Sequence, residues 1–213
     1  LSFLAIKLSN VKRYTADDAW CLDRGLGLFA GLNVLPKAAW FTSYSSRITR
    51  DLNRAFLKNL QRAWVQYGLV SDTANLDFTT IPYWGDASHL ENNWSGTRNE
   101  GISEQIEFFH LNRLSSSMVI KVDFDLTMSI LAHNLLRLFA MDLTGFSHCT
   151  DVSLFNKFLS MNGSVEIMPD RIVVKMKKKR NLPALLTAME PFQKMQMVFM
   201  GNRYLVFTGD STS

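Results

Sequence analysis

A chain of 213 residues, 47% hydrophobic and 20% charged, carries enough apolar surface for one large domain or two small ones, which argues against wholesale disorder. Its two cysteines, Cys21 and Cys149, are too few for a disulfide framework and form no CxxC pair, so a reducing cytoplasm is the expected compartment. The net charge of +4 suits a polyanionic partner without requiring one.

In chain order, Leu1 to Leu8 reads as a short apolar helix or strand, and no signal peptide opens the chain; a start at Leu1 is expected of a fragment. Thr15-Ala16-Asp17-Asp18 fits a capping box, opening a helix through Trp20 and Leu22. Gly25, Gly27 and Gly31 punctuate a loop-rich apolar segment that ends at Pro36. An amphipathic helix is expected from about Ile48 to Tyr67. Ile48, Leu52, Ala55, Phe56, Leu60, Ala63 and Trp64 recur at helical spacing, Arg47, Arg50, Arg54, Lys58 and Arg62 decorate the other side, and Gly68 is a natural C-cap.

Leu76 to Tyr83 reads as a strand stopping at the turn Gly85-Asp86. A polar, turn-rich stretch follows, then a helix over Ile102 to Leu111. The longest apolar run, Leu126 to Met141, is interrupted by His133, Asn134 and Arg137, so it reads as a buried helix, capped by Asp123 or Asp125, and not as a membrane span. Val165 to Met168, the turn Pro169-Asp170 and Arg171 to Met176 form an expected β-hairpin. Lys177-Lys178-Lys179-Arg180 leads into a helix from Pro183 to about Glu190. Val198 to Phe207 is expected as strand-turn-strand around Gly201-Asn202.

Two sets of side chains bear on chemistry. Asp77 would project from a strand, where a carboxylate is costly to bury without a cation; it either meets a divalent metal or faces solvent on an edge. Glu100, Glu104 and Glu107 share one helix face, as metal ligands or as an ordinary solvated surface, and Asp86 reads as a turn residue. The second set is basic: the series from Arg47 to Arg62, and Lys177, Lys178, Lys179 and Arg180, which either track phosphates or form solvated faces. Tyr83, Trp84 and Trp94 either stack on bases or fill a core rim. His89, His110, His133 and His148 lack zinc-ligand spacing with the cysteines, and adjacent His148 and Cys149 do not form a nucleophilic pair. No phosphate-binding or dinucleotide glycine motif is present. The methionines read as core filling.

Beyond these local readings, Asn75-Leu76-Asp77-Phe78-Thr79-Thr80-Ile81-Pro82-Tyr83-Trp84-Gly85-Asp86 and Leu90-Glu91-Asn92-Asn93-Trp94-Ser95-Gly96 resemble the first-aspartate region of bacterial insertion-sequence transposases of the DDE class. Glu104-Gln105-Ile106-Glu107-Phe108-Phe109-His110-Leu111-Asn112-Arg113-Leu114, continuing through Met118 to Asp125, is similar to the segment after that family's catalytic glutamate. Gly27 to Pro36, Leu131-Ala132-His133-Asn134-Leu135 and Lys178-Lys179-Arg180-Asn181-Leu182-Pro183 extend the resemblance over most of the chain.

The resemblance implies a ribonuclease-H-like α/β fold in which two strand aspartates and a helix glutamate hold two Mg²⁺ ions, one activating the attacking oxygen and one stabilising the leaving oxygen of a phosphodiester. Asp77 matches the first acid, and Glu100 or Glu104 the third. Arg98-Asn99 runs directly into Glu100-Gly101, where the family has a long stretch bearing the second aspartate; this looks like an internal deletion, and Asp86 is a poor substitute. The expected organisation is an N-terminal helical region over 1–70, a truncated core over 71–145 and a C-terminal helix-and-hairpin region over 146–213. The expected partner is double-stranded DNA at transposon ends, with a homo-oligomer or a full-length transposase as protein partner, no membrane and a place at the bacterial nucleoid. Strand transfer is expected to be weak or absent. The alternatives are a catalytically silent DNA-binding or interaction module, or a non-functional remnant.

Overall fold

The computed structural model describes residues 1–11, 18–70, 108–111 and 118–210. The expected capping box at Thr15, the strand from Leu76 to Tyr83 and most of the helix from Ile102 to Leu111 lie outside them. The chain divides into two compact units, one of Leu1–Val11, Ala19–Leu35 and Ala132–Ser213, the other of Lys12–Asp18 and Pro36–Leu131. The described residues combine helices with a small mixed sheet, an α/β composition.

In the first unit, Leu1 to Leu8 resolves to a helix, α1 (Ser2–Leu8), with Phe3, Leu4, Ala5 and Ile6 buried. The glycine-marked stretch expected as loop is instead helical: α2 runs Arg24–Phe29. Asp23 caps it, its carboxylate accepting from Gly25 N at 2.7 Å and Leu26 N at 3.1 Å, which satisfies two of the donors a helix start leaves open. Gly27 is required by proximity: a Cβ there would sit 2.6 Å from the Asn33 carbonyl oxygen. Gly31, at φ +75°, closes the helix with paired bonds from Leu32 N to Gly27 O and from Gly31 N to Leu28 O, a Schellman motif.

The helix over the long apolar run, α5 (after α3, Ala38–Ser45, and α4, Arg50–Gln66), spans Val119–Asp142. It starts seven residues before Leu126, so Asp123 and Asp125 lie inside it and cap nothing. Their carbonyls accept the Thr127 and Ser129 hydroxyls at 2.8 and 2.9 Å, which satisfies two buried polar side chains within the helix. From Ala132 onward α5 contributes Ala132, Leu136 and Ala140 to the first unit's core, beside Leu143, Leu154 and Phe158. Phe158 meets Phe139 and Phe146 edge to face at 6.0 and 4.9 Å. A short helix, α6 (Asp151–Leu154), continues into a π-helical turn, Phe155–Leu159.

The expected hairpin forms: β1 (Gly163–Ile167) pairs antiparallel with β2 (Arg171–Met176), Ile167 opposite Ile172 and Val165 opposite Val174. The helix after the basic run is α7 (Leu182–Met189), which Pro183 enters within its first turn. The strand expected from Val198 does not form, because Val198–Met200 make a 3-10 turn; the strand before the Gly201-Asn202 connection is instead β3 (Gln196–Met197), antiparallel to β4 (Arg203–Gly209). Gly201 and Asn202 both take positive φ in the connection, a conformation those residue types tolerate. Sequence reasoning did not anticipate that β4 runs parallel to β2, giving the order β1-β2-β4-β3. Ile172 and Met176 are the buried side chains of β2, and Leu182 of α7 approaches the Gly209 position.

The second unit's described part holds α3 (Ala38–Ser45), α4 (Arg50–Gln66), residues 108–111 and α5 through Leu131. Phe41, Phe108, Phe109, Phe124 and Met128 are buried. The methionines do not all fill cores: Met128 and Met176 are buried, but Met118, Met141, Met168 and Met195 are exposed.

Candidate nucleic-acid interface

Helix α4 forms where its periodicity places it. Thr49 accepts from Leu52 N at 3.3 Å as N-cap, and Asp51 adds a favourable acid in the first turn. At the far end Gly68, at φ +67°, closes it with bonds from Leu69 N to Trp64 O and from Gly68 N to Val65 O, the same Schellman arrangement that ends α2.

Its buried side differs from the expected one. Leu52, an anchor in the periodic reading, is 57% exposed, and Phe56 and Ala55 are exposed too. Asn53 is the buried residue at 4% exposure, in line with the half-buried Leu57, Leu60 and Trp64. Its amide Nδ2 donates to Asp123 Oδ2 on α5 at 3.0 Å, which rotates the inward face toward position 53.

That rotation leaves Arg50, Arg54, Lys58 and Arg62 exposed together. They recur every fourth residue, so successive cations rise about 6 Å along the axis and drift about 40° around it. Asp51 is the single acid in the helix, and no ion pair among the described residues involves any of the four cations. Arg62 Nη1 donates to Asn59 Oδ1 at 3.3 Å. Like charges at i and i+4 cost an isolated helix about 0.2–0.5 kcal/mol per pair. Three successive pairs, Arg50–Arg54, Arg54–Lys58 and Lys58–Arg62, therefore repel one another, and the one acid of α4, Asp51, stands three residues before Arg54 alone. A row of phosphates would reverse the sign of that term. Arg47, ahead of α4, is also exposed and sits with its guanidinium carbon 5.7 Å from the centre of the Tyr44 ring.

The second basic group lies in the first unit. Lys177, Lys178 and Arg180 are exposed. Lys179 is half-buried, and its Nζ donates to Ser160 O and, at 3.1 Å, to Asn156 O, binding the carbonyl end of the π-helical turn as a helix C-terminus favours. Of the four, Lys179 is thus engaged within the fold.

The candidate metal-binding acids Asp77, Glu100 and Glu104 lie outside the described residues, as do Asp86, Glu107, Tyr83, Trp84 and Trp94. Among the described residues no group of three or more His, Cys, Asp or Glu side chains converges, and no helix is long and apolar enough to cross a membrane.

One charged cluster escaped the sequence reading. His133 Nδ1 lies 2.7 Å from Asp151 Oδ2, with His133 23% and Asp151 3% exposed. Asp151 Oδ1 is buried without a hydrogen-bond partner. One turn along α5, Arg137 donates to Cys149 O at 2.7 Å and to Ser147 O, and Thr150 caps α6 by accepting from Ser153 N at 3.2 Å. The i, i+4 spacing of His133 and Arg137 signals a shared face, but their partners lie across a turn that spacing does not reveal. No protein-family model, curated protein or solved structure matches the chain.

Proposed function

We propose that this chain binds double-stranded DNA through the cation row of α4 and that it descends from a DDE-class transposase whose ancestral activity was Mg²⁺-dependent cleavage and joining of transposon-end DNA. The observation that carries the binding reading is the row itself: four exposed cations at helical spacing that repel one another and pair with no carboxylate among the described residues. The ancestry rests on the motif resemblance around Asp77 and after Glu104, with Asp77 and either Glu100 or Glu104 as the carboxylates for Mg²⁺. In this reading the junction at Asn99-Glu100 has removed the second aspartate, so DNA binding outlasts strand transfer, and a homo-oligomer or a full-length transposase is the fitting protein partner.

Titration of a labelled 20-base-pair duplex at a series of salt concentrations tests the binding. Each phosphate contact contributes a slope of about −0.9 in log K against log salt, so four contacts give about −3.6. The double variant Arg54→Glu, Lys58→Glu should flatten the slope by about two units. Affinity independent of salt, or a slope unmoved by that variant, would overturn the reading. A nicking assay on supercoiled DNA with Mg²⁺, alongside Asp77→Ala, tests the chemistry: clear nicking that the variant abolishes would show that the site is complete after all.

A further inference from the structure

We infer that β1 is a self-association edge: two copies of this chain join by antiparallel pairing of their β1 strands about a two-fold axis at Val165. The inference names a surface for the homo-oligomer proposed above. It requires neither DNA binding nor transposase ancestry.

The ladder to β2 decides which backbone groups of β1 are left over. Lys177 N donates to Asn162 O at 3.0 Å, and Met168 N to Arg171 O at 2.8 Å. Residues bonded across an antiparallel pair alternate along the strand, so Asn162, Ser164, Glu166 and Met168 turn their backbone groups toward β2. Gly163, Val165 and Ile167 turn theirs outward. None of these three has a hydrogen bond on that side among the described residues. β1 is the outer strand of the order β1-β2-β4-β3, and every one of its residues is exposed. It also lacks the devices that keep edges apart, with no Lys and no Pro within it. Its one charge, Glu166, is bonded to Lys175 of β2.

The side chains add an apolar margin. Val165 lies opposite Val174 and Ile167 opposite Ile172, so both stand on the sheet face where Ile172 and Met176 are buried. That burial ends at β2: Val165 keeps 41% and Ile167 60% of its surface exposed.

A second copy fits this edge best in one register. Centred on Val165, the outward residues meet as Gly163 with Ile167, Val165 with Val165 and Ile167 with Gly163, each pair exchanging two hydrogen bonds. Val165 then packs on its counterpart, and each Ile167 lies over a glycine. On the other face, Glu166 of one copy meets Ser164 of the second, and that row continues to the second copy's Lys175. Carboxylates and ammonium groups therefore alternate across the joined sheet. Centring on Glu166 would oppose two carboxylates and set Pro169, which has no N–H, against Gly163. This charge complementarity, built into the two-fold register, selects a second copy as the occupant. Five residues a side is well below the roughly 20–30 of a standard interface, so the dimer is weak and reversible.

The test is sedimentation velocity of the full chain, freed of nucleic acid, from micromolar to millimolar concentration. The wild type should pass from monomer to dimer over that range. Val165→Lys sets two ammonium groups opposite each other and should raise the dissociation constant about tenfold or more. Val165→Pro removes an outward N–H and no bond to β2, so it should act alike. Circular dichroism and melting of both variants should match the wild type, because position 165 is exposed and its backbone groups face away from β2. Under mild oxidation Val165→Cys should trap a covalent dimer, since opposed Cα atoms in a hydrogen-bonded pair stand about 5.5 Å apart, within disulfide reach. Ile167→Cys should not, its two copies lying four residues apart along the ribbon. A wild type that stays monomeric at every concentration overturns the inference. So does a dimer that Val165→Lys leaves intact, or equal trapping by the two cysteine variants. No DNA is present, so none of these results bears on the α4 cation row, which the salt titration tests by itself.

Discussion

Asn53 Nδ2 donates to Asp123 Oδ2 at 3.0 Å across α4 and α5, a polar bond at a position outside the apolar face that the helical periodicity marked. Asn53 is the only fully buried residue of α4 among the described ones, so this bond sets which way the helix faces. Replacing Asn53 by Ala leaves the Asp123 carboxylate one partner short, and the cost should be about 1–3 kcal/mol by chemical denaturation. Asp123→Asn retains an acceptor oxygen and should cost less than Asn53→Ala. If the two substitutions are equally mild, the bond does not orient the helix.

The cation row predicts opposite effects on stability and binding. Arg54→Glu places a carboxylate one turn ahead of Lys58, converting two repulsive i, i+4 pairs into attractive ones while turning the Asp51–Arg54 attraction at i, i+3 into a repulsion. Each conversion is worth a few tenths of a kcal/mol, so the thermal midpoint should hold or rise slightly while DNA affinity falls. A drop in both would mean that Arg54 serves the fold.

Gly27 and Gly68 should respond to Ala for different reasons. At Gly27 the added methyl meets backbone, the Asn33 carbonyl, which has little freedom to move, and the loss should be about 1–3 kcal/mol. At Gly68 no atom is near and only the positive φ resists, so the loss should be about 1 kcal/mol. Denaturant midpoints of the two variants check the order.

The clasp of His133 and Asp151 gives a sharper contrast. His133→Ala leaves a buried carboxylate with neither oxygen paired in this structure. The loss should be on the order of 2–3 kcal/mol, below the value for a wholly buried pair because His133 keeps some solvent contact. Adding Asp151→Asn to that variant should restore part of the stability by removing the stranded charge. A double variant no better than the single one would show that the charge is not the cost.

At the hairpin turn, the Arg171 guanidinium bonded to Asp170 holds that carboxyl below its ordinary value, and Asp170 in turn raises Arg171. A carboxyl lowered in the folded state contributes stability that is present above its unfolded value and is lost as pH falls through the folded one. Both groups are fully exposed, so the effect is small. Side-chain NMR of Asp170 should show titration below the usual aspartate range, and Arg171→Ala should return it there.

Where local chemistry decided the structure, the sequence was readable. Pro169-Asp170 between two alternating runs marked the hairpin, and Gly68 after a 3.6-residue period marked the end of α4. Where a distant contact decided it, the sequence misled. Gly25 and Gly27 read as loop because the reason for Gly27 is the approach of Asn33. Asp123 and Asp125 read as caps because nothing local shows that α5 already began at Val119. The cation row was visible as spacing, but its exposure depends on Asn53 turning inward, and a buried asparagine carries no periodic signature.

The parallel pairing of β2 with β4 bears on how the protein is made. Arg171 pairs with Tyr204 and Met176 with Gly209, so while the chain emerges from a ribosome β2 is complete well before the strand that will flank it. During that interval β1 and β2 form only a two-stranded ribbon, marginal in water, with the β2 edge open to any passing strand. The sheet therefore cannot close before β4 has been made, and until then the inner edge of β2 is the strand edge left to be covered.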